Sequence, residues 1–462
     1  MAQAKGYKID MCSGPILSKM ILFAVPLMFS TMLQLLFNAA DIVVVGRFAG
    51  DNSMAAVGSV TALINLLINL FIGLSVGANV MAARYFASKR DDELSQTVHT
   101  AMTLSFAGGI FLAIVGNLFA GKILVLMQSP PEIIGLSTLY LKIFFLGMPA
   151  NLAYNFGSAL LRAVGDTRRP LYFLSLAGVI NVVLNLVFVI KFHMDVAGVA
   201  VATVVSQCVS ALLVIRCLMN ETGGMKFELS KLGINPQKLI QIMKVGLPAG
   251  FQGILFSLSN VVIQSSINSF GEIVVAGSSA SNNIEHFVYA AMNSVYQATL
   301  SFTSQNAGVG NFRRVRRIAV ISNLYVIVLG IIVGGPVLLF GKMLISVYSS
   351  SAAVIEQGYI RLFVMMIVYF IAGMMDNMVG LLRGIGYSVM PMIVSLVGVC
   401  GFRLLWIATI FQLPQFHTIE MVYLSYPISW TVTFIIHFIC YRKVINKVEA
   451  HYKMLHPEHY EN

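Results

Sequence analysis

Residues 20–45 read MILFAVPLMFSTMLQLLFNAADIVVV, an apolar run in which Asp41 is the only charge. At ~1.5 Å per helical residue the run is about 39 Å long, enough to cross a hydrocarbon core of about 30 Å with tilt. Asp41 therefore falls within or near the outer half of a membrane-spanning helix. A carboxylate there costs at least about 2.5 kcal/mol unless it is protonated, paired or turned to water, so its default reading is functional. Pro26, Pro149 and Pro248 also interrupt apolar runs, which membrane helices tolerate when neighbours re-satisfy the backbone.

The rest of the chain has the same character. With 462 residues, 58% of them hydrophobic and 11% charged, it fits a polytopic helical membrane protein and leaves no room for a large soluble domain. The net charge of +11 could suggest nucleic acid, but the placement of the thirty Lys and Arg argues otherwise. Arg47, Lys122, Lys191 and Lys342 fall on one side of the expected spans, and Lys142, Arg361 and Arg403 fall inside them. The others share the opposite side, so the positive-inside rule puts both termini in the cytoplasm of a multi-pass plasma-membrane protein. Nucleic acid is not an expected partner; membrane lipid is. Cys12, Cys208, Cys217, Cys400 and Cys440 lack metal-ligand spacing, and the tail histidines His451, His456 and His459 are read as a solvated end, so no metal is expected. Lys19 and Asn38-Ala39-Ala40 could mimic a signal peptide and its cleavage site; the segment is expected to be retained.

Apolar runs bounded by charges or turn residues give twelve spans, beginning near Ile16, Ser53, Leu94, Glu132, Pro170, Val196, Lys238, Ile273, Arg317, Ala353, Ser388 and Glu420. A repeat divides them. Leu160-Leu161-Arg162-Ala163-Val164-Gly165 with Pro170 returns as Leu381-Leu382-Arg383-Gly384-Ile385-Gly386 with Pro391; Pro26 returns as Pro248, and Lys142 as Arg361. The expected organisation is a six-helix bundle over 1–220, a cytoplasmic linker over 221–237, and a second six-helix bundle with a short tail over 238–462. An even number of spans per unit makes the repeats parallel, related by a pseudo-two-fold axis along the membrane normal.

Polar residues inside the spans are the candidate site. Asn181 and Asn185 are four apart and share a helix face; if that face meets Asp41, amide and hydroxyl oxygens would line a pocket suited to H⁺ or Na⁺. The competing reading is a structural hydrogen bond. In the second half Asp376 stands where Asn155 stands in the first, and Arg403 could pair with it, either as a structural lock or as a pair that opens. Glu285 and His286 are adjacent and point about 100° apart, so one of them is expected to face a cleft, with Glu285 preferred. Thr203, Gln252, Asn260, Gln264, Asn282, Asn283 and Asn377 complete the set. Gly73 to Gly77 and Gly330 to Gly334 read as helix-packing G-x-x-x-G. No G-x-x-x-x-G-K-[ST] occurs, which disfavours ATP-driven chemistry, and no cluster suits a membrane enzyme.

Taken together, Asn38-Ala39-Ala40-Asp41 with Val45-Gly46-Arg47, Leu161-Arg162 to Gly165-Asp166-Thr167 with Pro170, Ser304-Gln305-Asn306-Ala307-Gly308, and Leu382-Arg383-Gly384 resemble the multidrug and toxic compound extrusion (MATE) transporters of the MOP flippase superfamily. The resemblance spans essentially the whole chain. It implies an all-α protein of two six-helix bundles that exports organic cations by alternating access in exchange for H⁺ or Na⁺, acting as a monomer without a cofactor. It implies a cation site at Asp41, Asn181, Asn185 and Thr203, and Asp376 matches an acid that sodium-coupled relatives carry in the tenth span. Read from the residues themselves, Glu285 joins Asp376 as a second cation-site candidate, and Asn155, Gln252, Asn282 and Arg403 are candidates for the substrate cleft. Asn185 departs from proton-coupled relatives, which commonly carry aspartate there. A lipid-linked precursor or other metabolite exporter of the same superfamily is the alternative.

Overall fold

The computed structural model describes residues 6–127 and 129–455; His456 and His459 lie outside them. Every regular element among the described residues is helical. In order these are α1 (Ile16–Phe48), α2 (Asp51–Ala87), α3 (Asp91–Leu126), α4 (Pro131–Leu146), α5 (Met148–Ala163), α6 (Arg168–Leu186), α7 (Asp195–Met219) and α8 (Pro236–Asn268). There follow α9 (Glu272–Gly308), α10 (Phe312–Leu339), α11 (Gly341–Ser346), α12 (Ala352–Met366), α13 (Tyr369–Gly384), α14 (Val389–Ser395), α15 (Phe402–Ala408) and α16 (Ile419–Leu455).

Among the described residues, nine stretches are long and apolar enough to cross a membrane singly, and α4–α5 and α12–α13 meet the same test only as pairs, bent by 49° and 48°. The remaining expected span, the eighth, α9, has the length, at 37 residues, but not the apolarity. Its interior face carries Ser278, Ser281, Glu285, Thr299, Ser301, Thr303, Ser304, Gln305 and Asn306, all buried. Buried polar side chains, rather than exposure to water, dilute its hydropathy.

The repeat read from sequence is also written in the backbone. Left-handed residues recur at an offset of 221: Gly50 (φ 92°) with Gly271 (90°), Lys89 (56°) with Gly310 (71°), and Gly165 (91°) with Gly386 (94°). Each closes a turn between helices. Both bends also fall at equivalent places, after Leu146 and after Met366.

The chain forms two compact units, one of residues 6–10 and 29–250 and the other of 11–28 and 251–455. These boundaries differ from the halves expected at 1–220 and 238–462, because α1 and α8 each divide between units, near Pro26 and Pro248. The expected linker is also tied down within the first unit. Met225 and Phe227 are fully buried, the Glu228 amide donates to His99 Nε2 at 3.1 Å, and Glu221 accepts from Lys8 and Arg169, both at 2.5 Å.

Two glycine pairs let helices of the first unit touch. A Cβ on Gly73 would come within 2.2 Å of the Gly250 nitrogen, and one on Gly77 within 2.2 Å of the Ile242 carbonyl oxygen. The partner run on α8 is Gly246-Leu247-Pro248-Ala249-Gly250, a second G-x-x-x-G facing the first. Gly330 on α10 serves the second unit similarly, against Phe370.

Candidate functional site

Each unit encloses a polar cavity. In the first, about 310 Å³ lies between α1, α2, α4, α5, α6 and α7, with Asp41, Asn155, Asn181 and Thr203 on its wall. Asn181 and Asn185 project one turn apart from α6, as their spacing predicts. Asn185 Nδ2 donates to Asp41 Oδ1 and, at 3.3 Å, to Asn181 Oδ1; Asn181 Nδ2 donates in turn to Thr203 Oγ1 at 3.3 Å. Four side chains thus form one connected chain of polar contacts ending at a carboxylate. Asn185 is fully buried, and its Oδ1 has no hydrogen-bond partner. That orphan acceptor adds a carbonyl oxygen beside those of Asp41, Asn181 and Thr203. No lysine or arginine lines the cavity among the described residues.

Asn155 reaches the same space from α5, where its Nδ2 is held by the Asn151 carbonyl at 2.9 Å and by Asn151 Oδ1 at 3.0 Å. Sequence reasoning missed Gln34, Tyr140, Asn151, Tyr154 and Gln207 on this wall. Polar residues in an apolar run were the signal, but sequence alone does not say which of them face inward.

The second unit holds a cavity of about 400 Å³, lined by Asn282, Glu285, His286, Asp376, Arg403 and several aromatic rings. Glu285 is not a free acid. Arg361 binds it through two hydrogen bonds, Nε to Oε1 at 2.9 Å and Nη2 to Oε2 at 3.1 Å, and also donates to Ser278 Oγ at 2.7 Å and Asn282 Oδ1 at 3.2 Å. This bidentate pair was not foreseen, although Arg361 stood out as a cation inside an apolar segment; 76 residues separate the partners.

Three other expectations change. Glu285 and His286 both line the cavity, because its wall spans more than the roughly 100° between successive helical residues. Asp376 and Arg403 line it too but do not form an ion pair among the described residues. Asp376 interacts instead with the Tyr289 hydroxyl and Arg383, while Arg403 turns to α16. Gln252 lies outside the cavity, its Oε1 accepting from Arg383 Nη2 at 2.8 Å. Asn260 and Gln264, also on α8, do reach the wall.

Comparison with known proteins follows this geometry. The MatE family model matches residues 26–187 and again 248–408, once in each repeat. The chain is 26% identical over 441 residues to the probable multidrug resistance protein YoeA of Bacillus subtilis, covering 93% of this chain and 94% of that protein. It is 23% identical to the FAD transporter of Shewanella oneidensis over 353 residues, 74% of this chain and 77% of that one. A MOP superfamily transporter from Pyrococcus furiosus has the same fold, with a TM-score of 0.88 at 21% identity over 95% of this chain and 98% of its own. With two matched segments that together span well over half of its length, the chain belongs to the MatE family, which comprises multidrug efflux transporters and not enzymes.

Proposed function

We propose that the protein is a secondary antiporter of the plasma membrane that exports organic cations in exchange for H⁺ or Na⁺ by alternating access, with both termini in the cytoplasm. The observation that carries the reading is Asp41, one carboxylate at the end of the Asn185–Asn181–Thr203 chain on a cavity with no basic residue among the described residues. In a low-dielectric wall such a group favours taking up a cation, and oxygen ligands beside it suit a proton or a hard monovalent ion. A potential of 100 mV contributes about 2.3 kcal/mol per charge moved, so one or two coupled cations support substantial accumulation. In the second unit Asp376 is the coupling carboxylate of this reading. Glu285, already matched by Arg361, acts through the position of that guanidinium.

Reconstituted vesicles test the reading. Ethidium uptake into inverted vesicles is driven by an imposed proton gradient in one set and a sodium gradient in another. Asp41→Asn should fold normally yet lose at least about nine-tenths of gradient-driven transport, a tenfold effect that corresponds to about 1.4 kcal/mol. Full transport by a well-folded Asp41→Asn protein, or movement under neither gradient, would overturn the assignment. Because one relative carries FAD, FAD belongs among the substrates tried; its transport in place of ethidium would favour the metabolite-exporter alternative.

A further inference from the structure

Arg403 has no counterpart in the first cavity. At the wide helical turn Leu396–Gly401 one residue is inserted before Arg403, whereas the equivalent turn of the first repeat, Val187–Lys191, lies after Asn181. The offset therefore passes from 221 to 222, and Arg403 occupies the repeat position of Asn181. At the same offset Asp41 corresponds to Ile263, and at 221 Asn155 corresponds to Asp376. The two repeats thus use one framework with different charges: a lone carboxylate in the first cavity, and a guanidinium facing a displaced carboxylate in the second.

Arg403 is only 5% exposed, so desolvation of its charge is costly. Its Nε donates to Ser429 Oγ at 2.9 Å, and its plane stacks on Tyr426, with the guanidinium carbon 3.9 Å from the ring centroid and 5.7 Å from that of Trp430. A hydroxyl and two ring faces do not neutralise the charge. Among the described residues no hydrogen-bond or ion-pair acceptor meets its terminal amino groups, which open on the cavity. A buried, stacked guanidinium presenting an unused planar fork is a receptor for a carboxylate.

We propose that the second cavity binds a planar aromatic monocarboxylate, its carboxylate forked on Arg403 and its ring among Tyr289, Tyr369, Tyr426 and Trp430. The cavity's own charges favour a monoanion. Glu285 is matched by Arg361 and Asp376 by Arg383, so the charge of Arg403 is left over. A single negative charge offsets it, while a second, as on a phosphate, meets Asp376. A volume of about 400 Å³ suits a two-ring body. The proposal rests on the transporter reading only in taking this cavity as a substrate space, and binding without a gradient tests it separately.

The probes are 2-naphthoate and 2-naphthamide, equal in shape and different in charge. Each is titrated against the full chain in phosphatidylcholine nanodiscs, with quenching of tryptophan fluorescence as the signal, since Trp430 lines the cavity. The wild-type protein should bind the naphthoate at least about tenfold more tightly than the amide. Arg403→Gln should abolish that preference by weakening the naphthoate at least about tenfold more than the amide, and Asp376→Asn should tighten naphthoate binding by removing a like charge. Equal affinities in the wild type, a comparison that needs no variant, would overturn the proposal, as would a preference that survives Arg403→Gln. If binding succeeds while vesicle transport fails, the site stands and the antiport reading falls; the reverse result removes only the site.

Discussion

At the scale of single residues, the second unit separates two kinds of buried charge. Arg361 spends its donors on Glu285, Ser278 and Asn282, whereas Arg403 keeps most of its donors for the cavity. Removing one member of a buried, fully bonded pair strands the other, at a cost of about 3–5 kcal/mol. Glu285→Gln should therefore lower thermal stability in detergent sharply, and adding Arg361→Met should recover much of the loss. If the double variant is no more stable than the single one, the pair is not the cause. Asp41 was legible in the sequence as an unpaired acid in an apolar run, and the Asn181–Asn185 face was legible from its spacing. The Glu285–Arg361 pair was not, because no local rule links residues on α9 and α12. Nor was the orientation of Arg403, which depends on the wide turn before it and on rings contributed by α16.

At the scale of elements, small residues decide which helices approach. Gly73 and Gly77 on α2 meet Gly246 and Gly250 on α8, backbone against backbone. Gly73→Val puts atoms where a Cβ already sits 2.2 Å from a main-chain nitrogen, and no rotamer relieves that. It should lower the melting temperature by at least about 5 °C. Gly58→Ala on the same helix, where a Cβ meets nothing within 4 Å, should leave it unchanged or slightly raised. Equal melting temperatures for the two variants would show that the helices separate at little cost. Of the two runs, Gly73 to Gly77 was read from sequence; its partner around Pro248 was not, since nothing local says which α8 residues meet α2. The polar face of α9 likewise hid from any hydropathy window while still marking it as an inner helix, through Glu285 and Asn282.

At the scale of the whole molecule, the sequence carried the all-helical class, the internal repeat and the family. It did not carry the units. Chain order suggests a cut at the linker over 221–237, yet packing assigns residues 11–28 to the second unit and 221–250 to the first. Burial of Glu221, Met225 and Phe227 explains the second assignment, because these side chains find their partners on elements already behind them in the chain. Within the second unit, Asn306 Nδ2 donates to the Met11 carbonyl at 3.1 Å, and Arg314 donates to Met11, Ser13 and Gly14. Fragments 1–235 and 236–462 should therefore be aggregated when made separately and should yield a monodisperse species when co-expressed, as read by size-exclusion chromatography in detergent. A monodisperse 1–235 fragment, as heat-resistant as the whole chain, would contradict this.

The exchange of short segments between units also sets a schedule for biosynthesis. The opening residues leave the ribosome first, but the helix ends that accept them, around Asn306 and Arg314, come about three hundred residues later. At about 5–20 residues per second that delay is at least about fifteen seconds. Throughout it the start of the first helix waits in the bilayer without its final neighbours. A slow codon run or a missing insertion factor during that interval would be felt first at the amino terminus, far from where translation stalled.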